Sequence, residues 1–184
     1  MDSGRVISVF CSSDARATSA AYARALRVGQ VLGESGFAVA TGGYGGAMEA
    51  VSRGAAEAGA EVIGVTCRIW SGAANAHVSR VIETGDYYER LRTLVEIATA
   101  GYVALGGGTG TLVELALVWE LAAKGLFPDR PIVCLGDFWR PLPELISAAR
   151  PAAADSLRFI DSPEALPGCF DRGTDRAGGS SGRS

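Results

Sequence analysis

Six consecutive residues, Gly106-Gly107-Gly108-Thr109-Gly110-Thr111, are all glycine or threonine, and a carboxylate, Glu114, follows three positions later. An apolar run, Tyr102 to Leu105, precedes the turn, and a long apolar stretch, Thr111 to Lys124, follows it. A strand, a glycine-rich turn and a helix start form, in outline, a cradle for phosphate. Glycines let the backbone come close to an anion. The helix start offers N–H groups without intrahelical partners and the positive end of a dipole. Thr109 and Thr111 add hydroxyl donors. A second turn of this type, Thr41-Gly42-Gly43-Tyr44-Gly45-Gly46, follows another strand-like run and opens another helix. A tight turn with no ligand would also use glycine, but two such turns in one small domain favour phosphate binding.

Glu114 has Leu117, Val118 and Leu121 as helical neighbours, and its helix is apolar on nearly every side. A buried carboxylate without a partner is costly, so Glu114 needs a partner or a purpose. Stabilising the helix dipole would account for its charge but not for its apolar surroundings. Arg90 shares a helical stripe with Leu94 and Ile97 and is expected to point inward; snorkelling past the core edge is the alternative. Arg92 and Glu96, and likewise Glu49 and Arg53, are spaced for solvated i,i+4 ion pairs.

Other chemistries fit poorly. Cys11, Cys67, Cys134 and Cys169 form no CxxC pair and read as reduced, half-buried thiols rather than a zinc ribbon. The single histidine, His77, lies in a loop-like segment and is a weak basis for a Ser-His-Asp triad or a metal site. No Lys-Ser/Thr follows either glycine turn, which excludes a Walker A loop. The first strand-to-helix turn, Cys11-Ser12-Ser13-Asp14, lacks the dinucleotide fingerprint, and no acidic residue follows the third strand to hold a ribose. A mononucleotide is favoured over NAD, and neither a cofactor nor a metal is expected.

These residues need elements to position them. Strands are expected at Val6–Phe10, Phe37–Ala40, Glu61–Thr66, Val81–Ile82, Tyr102–Leu105, Pro131–Leu135 and Leu157–Ile160. Helices are expected at Ser19–Glu34, after the second glycine turn, and at Asp86–Ala100, Thr111–Lys124 and Trp139–Ala149. Arg68 to Arg80 is polar and rich in small residues, an excursion over the strand ends. Short apolar strands alternating with helices mean an α/β fold of Rossmann-like type, a mostly parallel sheet sandwiched between helices. In such sheets ligands lie beyond the carboxyl ends of the strands, where both glycine turns fall. Residues 1–172 form one domain, and the Gly- and Ser-rich residues 173–184 are expected to be a disordered tail.

The chain of 184 residues is long enough to bury roughly 70% of its unfolded surface in a core. With 48% hydrophobic and 20% charged residues it has a globular balance. A net charge of −3 gives no footprint for nucleic acid or an anionic membrane. Neither a span-length apolar run nor a signal-peptide pattern is visible, so a cytoplasmic location is expected.

The run from Gly106 to Glu114 resembles the PGGxGTxxE signature of the LOG family, the cytokinin riboside 5′-monophosphate phosphoribohydrolases. Glu89-Arg90 is similar to that family's ER(K) element, Val9-Phe10-Cys11-Ser12-Ser13 to its opening strand and loop, and Thr41 to Ala50 to its second glycine loop. The resemblance spans roughly Arg5 to Leu135. It implies a Rossmann-like homodimer with the active site near the interface. The reaction it implies is hydrolysis of a nucleoside 5′-monophosphate to free base and ribose 5-phosphate. Glu114 and Arg90 then take the catalytic positions; Gly107, Gly108, Thr109, Gly110 and Thr111, with Gly43, Gly45, Ser12 and Ser13, take the phosphate and nucleotide positions. Gly106 stands in place of the signature proline, Leu91 in place of lysine, and one extra residue near Gly101 separates the two motifs. Gly-Gly-Tyr-Gly-Gly-Ala-Met-Glu is also similar to molybdenum-cofactor carrier-like relatives. A non-catalytic nucleotide or molybdenum-cofactor carrier is therefore the alternative, and the base is left open.

Overall fold

A computed structural model describes residues 4–16, 18–151 and 155–171. The expected tail, 173–184, lies outside the described residues. Seven strands form one sheet: β1 (Val6–Phe10), β2 (Ala38–Thr41), β3 (Val62–Cys67), β4 (Arg80–Thr84), β5 (Gly101–Ala104), β6 (Ile132–Leu135) and β7 (Leu157–Ile160). Every pairing is parallel, in the order β4-β3-β2-β1-β5-β6-β7. Strands covered on both faces must be apolar throughout, and β1, β3, β5 and β6 are buried at every residue. Strands β4 and β7 lie at the edges and are partly exposed.

The connecting helices are α1 (Ala20–Glu34), α2 (Ala47–Glu57), α3 (Tyr87–Ile97), α4 (Thr109–Ala123), α5 (Pro141–Ser147) and α6 (Leu166–Phe170). Right-handed crossovers put helices on one face while the strand order advances one way, and on the other face once it reverses. Thus α1 and α2 build one core layer, joined by Leu166 and Phe170 of α6. Residues of α3, α4 and Trp139 build the other. The reversal occurs between β1 and β5, which pair from Ile7–Gly101 to Phe10–Ala104. Their carboxyl ends lead into Cys11–Asp14 and Gly106–Thr111, so this topological switch point is the expected ligand crevice.

Some boundaries differ from the sequence expectation. Helix α3 stops at Ile97, short of Ala100, because Thr99 and Ala100 are tied to the start of β1. The Val6 N–H donates to Thr99 Oγ1 at 2.9 Å, and the Ala100 N–H donates to the Val6 carbonyl at 2.8 Å. The chain then enters β5 through Gly101 at φ 146°, a backbone state that side chains disfavour. Helix α4 begins two residues earlier than expected, at Thr109. The short 3₁₀ turn Pro163–Ala165 and α6 were not anticipated. Arg53 pairs with Glu57 at 2.8 Å rather than with Glu49, and among the described residues Arg92 and Glu96 make no ion pair.

Candidate functional site

Helix α4 starts behind an N-cap glycine, Gly108, that supplies no side-chain cap. The first-turn N–H groups therefore face the crevice with the helix dipole behind them. Gly107 is fixed by packing, since a Cβ there would land on the Thr111 hydroxyl. Gly108 and Gly110 are different: a Cβ at either would meet no protein atom within 4 Å. Nothing inside the protein requires glycine at these two positions, and their backbone lies open to an approaching group.

On the facing side, α3 is started by Asp86, whose carboxylate accepts from the Glu89 N–H at 2.9 Å, while Glu89 accepts from the Gly85 N–H at 2.6 Å. This reciprocal cap sets the helix start and so aims Arg90 inward. Arg90 is 6% exposed. Its Nε donates to the Val65 carbonyl at 2.8 Å, and its Nη1 lies 3.5 Å from Glu114 Oε1. Glu114, 8% exposed, lines the crevice one turn into α4. Burial pushes its carboxyl up to about 7, while the Arg90 charge holds it down. Burial likewise raises the Cys11 thiol, with the Glu114 charge adding to it. The Tyr87 phenol is raised for the same two reasons.

A cavity of about 490 Å³ joins these groups. Of the sequence-picked residues, Ser12, Ser13, Arg90, Gly108, Thr109, Gly110, Thr111 and Glu114 line it together. Gly107, Gly43 and Gly45 are not among the lining residues. Several polar groups of the second glycine turn are used internally. The Gly43 N–H donates to Thr41 Oγ1, and Asn75 donates to the carbonyls of Gly43 and Tyr44. The first N–H of α2, on Ala47, is taken by the Ser12 carbonyl at 2.9 Å. Gly42 has a steric role, because a Cβ there would collide with Arg90 Nη2 and Met48 Sδ.

Sequence reasoning missed the aromatic side of the cavity, made by Tyr44, Trp70 and Tyr87. Tyr87 precedes Arg90 by three positions on α3, a spacing that puts both on one helical face. Trp70 is a large aromatic residue in an otherwise small and polar excursion, which was a readable signal. The Arg90 guanidinium carbon lies 5.8 Å from the Tyr44 ring centre and 5.3 Å from that of Trp70. The cavity thus combines an anion-attracting helix end, a buried Arg–Glu pair and a planar apolar surface.

The sequence pattern of the SLOG cluster4 family matches residues 4–153, and the chain belongs to that family. An uncharacterised protein of Archaeoglobus fulgidus is 30% identical over 115 residues, 62% of this chain and 75% of its own. Among solved structures, the molybdenum cofactor binding protein of the phototrophic bacterium Rippkaea orientalis is 26% identical. That match has a TM-score of 0.70 over 88% of this chain and 91% of the other. The molybdenum cofactor carrier protein of Chlamydomonas reinhardtii is 24% identical, with a TM-score of 0.67 over 89% of this chain and 93% of its own. DNA processing protein A of Streptococcus pneumoniae is 14% identical, with a TM-score of 0.63 over 90% of this chain and 61% of its own. The latter two likenesses show the fold alone. Among the described residues no helix is long and apolar enough to cross a membrane.

Proposed function

We propose that this member of the SLOG cluster4 family binds a small phosphorylated heterocycle, with its phosphate on the start of α4, and acts as a carrier or binding protein for it. The observation that carries this reading is the pair Gly108 and Gly110, open toward the same cavity as the buried Arg90–Glu114 pair. Backbone N–H groups and the helix dipole would hold the anion. The likeness to the Rippkaea molybdenum cofactor binding protein favours a phosphorylated pterin of the molybdenum-cofactor kind as cargo. The cavity fits such a cargo in its chemistry: an anion site at one wall and aromatic rings at another.

Glu114 favours a second reading, hydrolysis of the N-glycosidic bond of a nucleoside 5′-monophosphate. Bond cleavage develops positive charge on the ribose ring. The ionised Glu114 carboxylate would stabilise that charge and take a proton from the attacking water. The water oxygen bonds to the anomeric carbon, and the bonding pair leaves with the base, which gains a proton. Products are free base and ribose 5-phosphate. Arg90 would orient Glu114 and keep part of its population ionised near neutral pH.

One experiment separates the two. The protein is incubated with AMP, CMP, GMP, UMP and N6-isopentenyl-AMP, and free base is sought by chromatography. In parallel, it is mixed with molybdenum cofactor and the retained, unmodified pterin is measured after gel filtration. Retention without base release supports the carrier. Base release establishes the hydrolase, and release from the isopentenyl substrate alone identifies a cytokinin-activating one.

The same proposal includes a homodimer. Helix α4 is apolar on most of its sides, with Glu120 among its few charged positions. Val113 is nonetheless exposed, and with Leu117, Leu121, Leu126 and Tyr88 it borders an apolar groove between α3 and α4. A second copy on this face would cover it, and would approach the two helices that carry Arg90 and Glu114.

A further inference from the structure

Trp70 is 43% exposed, whereas Trp119 and Trp139 are 8% and 6% exposed. Trp139 is a structural residue, packed in the core with its indole N–H donated to the Leu105 carbonyl at 2.8 Å. Trp70 lies instead on the excursion between β3 and β4, yet its position is tightly set. Its N–H donates to the Cys67 carbonyl at 3.2 Å, closing a turn at the end of β3. Its ring meets Tyr44 at 6.0 Å and 81°, and Tyr87 at 5.6 Å and 70°, both edge-on. Tyr44 is itself pinned, since its hydroxyl accepts from the Cys67 N–H at 2.9 Å and donates to the Cys67 carbonyl at 3.2 Å. Arg90, held by Val65 and Glu114, lies over the ring at 5.3 Å. Three neighbours, two of them pinned by hydrogen bonds, thus hold an indole that is still 43% exposed, on the cavity that also contains the α4 start.

An exposed, rigidly held aromatic plane has no use in the core. It is suited to a planar partner, because stacking costs little when the plane is already ordered. We propose that Trp70 is the specificity-determining residue of the site, stacking the heterocycle of a ligand whose phosphate rests on Gly108–Thr111. This rests on the phosphate reading above and extends it to the ring. The class it selects is a fused, two-ring or larger heteroaromatic phosphate, such as a purine nucleotide or a pterin phosphate. Such rings overlap more of the indole than a single pyrimidine ring does, and sugar phosphates offer it nothing.

The test is calorimetric titration of the full chain with AMP, UMP and ribose 5-phosphate, with chromatography verifying intact nucleotides. Three proteins are compared: wild type, Trp70→Phe and Trp70→Ala. The wild type is expected to bind AMP about ten-fold or more tightly than ribose 5-phosphate, with UMP between them. Trp70→Ala should bring AMP to the ribose 5-phosphate level while leaving ribose 5-phosphate unchanged, and Trp70→Phe should recover most of the loss. Because the other two indoles are buried, acrylamide quenching of tryptophan fluorescence reports mainly on Trp70 and should fall when AMP binds. Equal affinity of the wild type for AMP and ribose 5-phosphate would overturn the proposal. So would an equal loss for both ligands in Trp70→Ala, since that marks a structural prop. If ribose 5-phosphate fails to bind while AMP binds in a Trp70-dependent way, the ring proposal stands and the phosphate reading falls.

Discussion

Arg90 of α3 and Glu114 of α4 meet at 3.5 Å across the crevice, each more than nine-tenths buried, and each lining the cavity wall. The pair joins two helices on the same face of the sheet at the point where the strand order reverses. Its energetics are dominated by desolvation: even beside a guanidinium, the Glu114 carboxyl titrates near 7.

That shift makes stability depend on pH in a defined direction. Between pH 4.5, the ordinary carboxyl value, and about 7, the folded protein retains a proton that the unfolded chain has released. Stability is therefore greatest below this window and falls as pH rises through it, by about 3 kcal/mol at roughly 1.4 kcal/mol per pH unit. Glu114→Gln removes the titration. Urea unfolding at pH 5, 6, 7 and 8 should show wild type losing stability relative to the variant over this range. Parallel curves would contradict the assignment.

Removing the cation should do more harm than neutralising the carboxylate. Arg90→Leu leaves Glu114 buried without its partner, which costs about 3–5 kcal/mol when the carboxylate is ionised. The loss should be larger at pH 8 than at pH 5, where Glu114 is protonated in either protein. Adding Glu114→Leu to Arg90→Leu should restore part of the midpoint. A double variant no more stable than Arg90→Leu at pH 8 would count against a buried charge as the cause.

The open glycines separate binding from folding. Gly110→Ala places its methyl group where no protein atom lies within 4 Å. In a helix such a change stabilises by about 0.4–1 kcal/mol. The same methyl group stands in the path of a phosphate reaching the first-turn N–H groups. Thermal melts should therefore show an unchanged or raised midpoint, while ribose 5-phosphate affinity falls about ten-fold or more, the loss of one or two hydrogen bonds to a charged group. Unchanged affinity would move the anion away from this turn.

Much of the site was readable because its parts follow local rules. The strand β7 and the start of β1 matched their apolar runs, and the helix expected over Ser19–Glu34 is α1, with Ser19 as its cap. Glu114 and Arg90 stood out because charged residues on apolar helical stripes conflict with burial. What was not readable depends on long-range placement. Tyr44, Trp70 and Tyr87 come from three segments that meet only once β3 and β4 pair. The two glycine turns looked alike in sequence. Only the contacts of Asn75 and the Ser12 carbonyl show that one is tied into the protein at several of its polar groups while the other opens outward.

The groove between α3 and α4 gives a test of association. Val113 is exposed and Tyr88 is 83% exposed, on either side of half-buried Leu117 and Leu121. If a second copy covers this face, Val113→Asp should shift the protein from dimer to monomer in sedimentation equilibrium. The fold should survive, since the side chain is already open to water in one protomer. A wild type that is monomeric at micromolar concentration would remove the dimer from the proposal.

Gly42→Ala gives the sharpest test of how the second glycine turn serves the site without touching the ligand. A Cβ at this position would overlap Arg90 Nη2 and Met48 Sδ, the far ends of two flexible side chains, so the fold can yield. What yields is the Arg90 guanidinium, which carries the 3.5 Å contact to Glu114 and lies over the Trp70 ring. Once Arg90 is displaced, Glu114 loses the charge that holds its carboxyl down, and its titration moves above 7. In the wild type the pH-dependent loss of stability levels off above about 7; in Gly42→Ala it should continue toward pH 8 and beyond. The indole would also lose one of its three neighbours, so acrylamide should quench Trp70 more readily in the free variant. A variant that matches wild type in both the pH profile and the quenching would mean that Arg90 holds its place without this glycine. Steric room at Gly42 would then have no part in building the site.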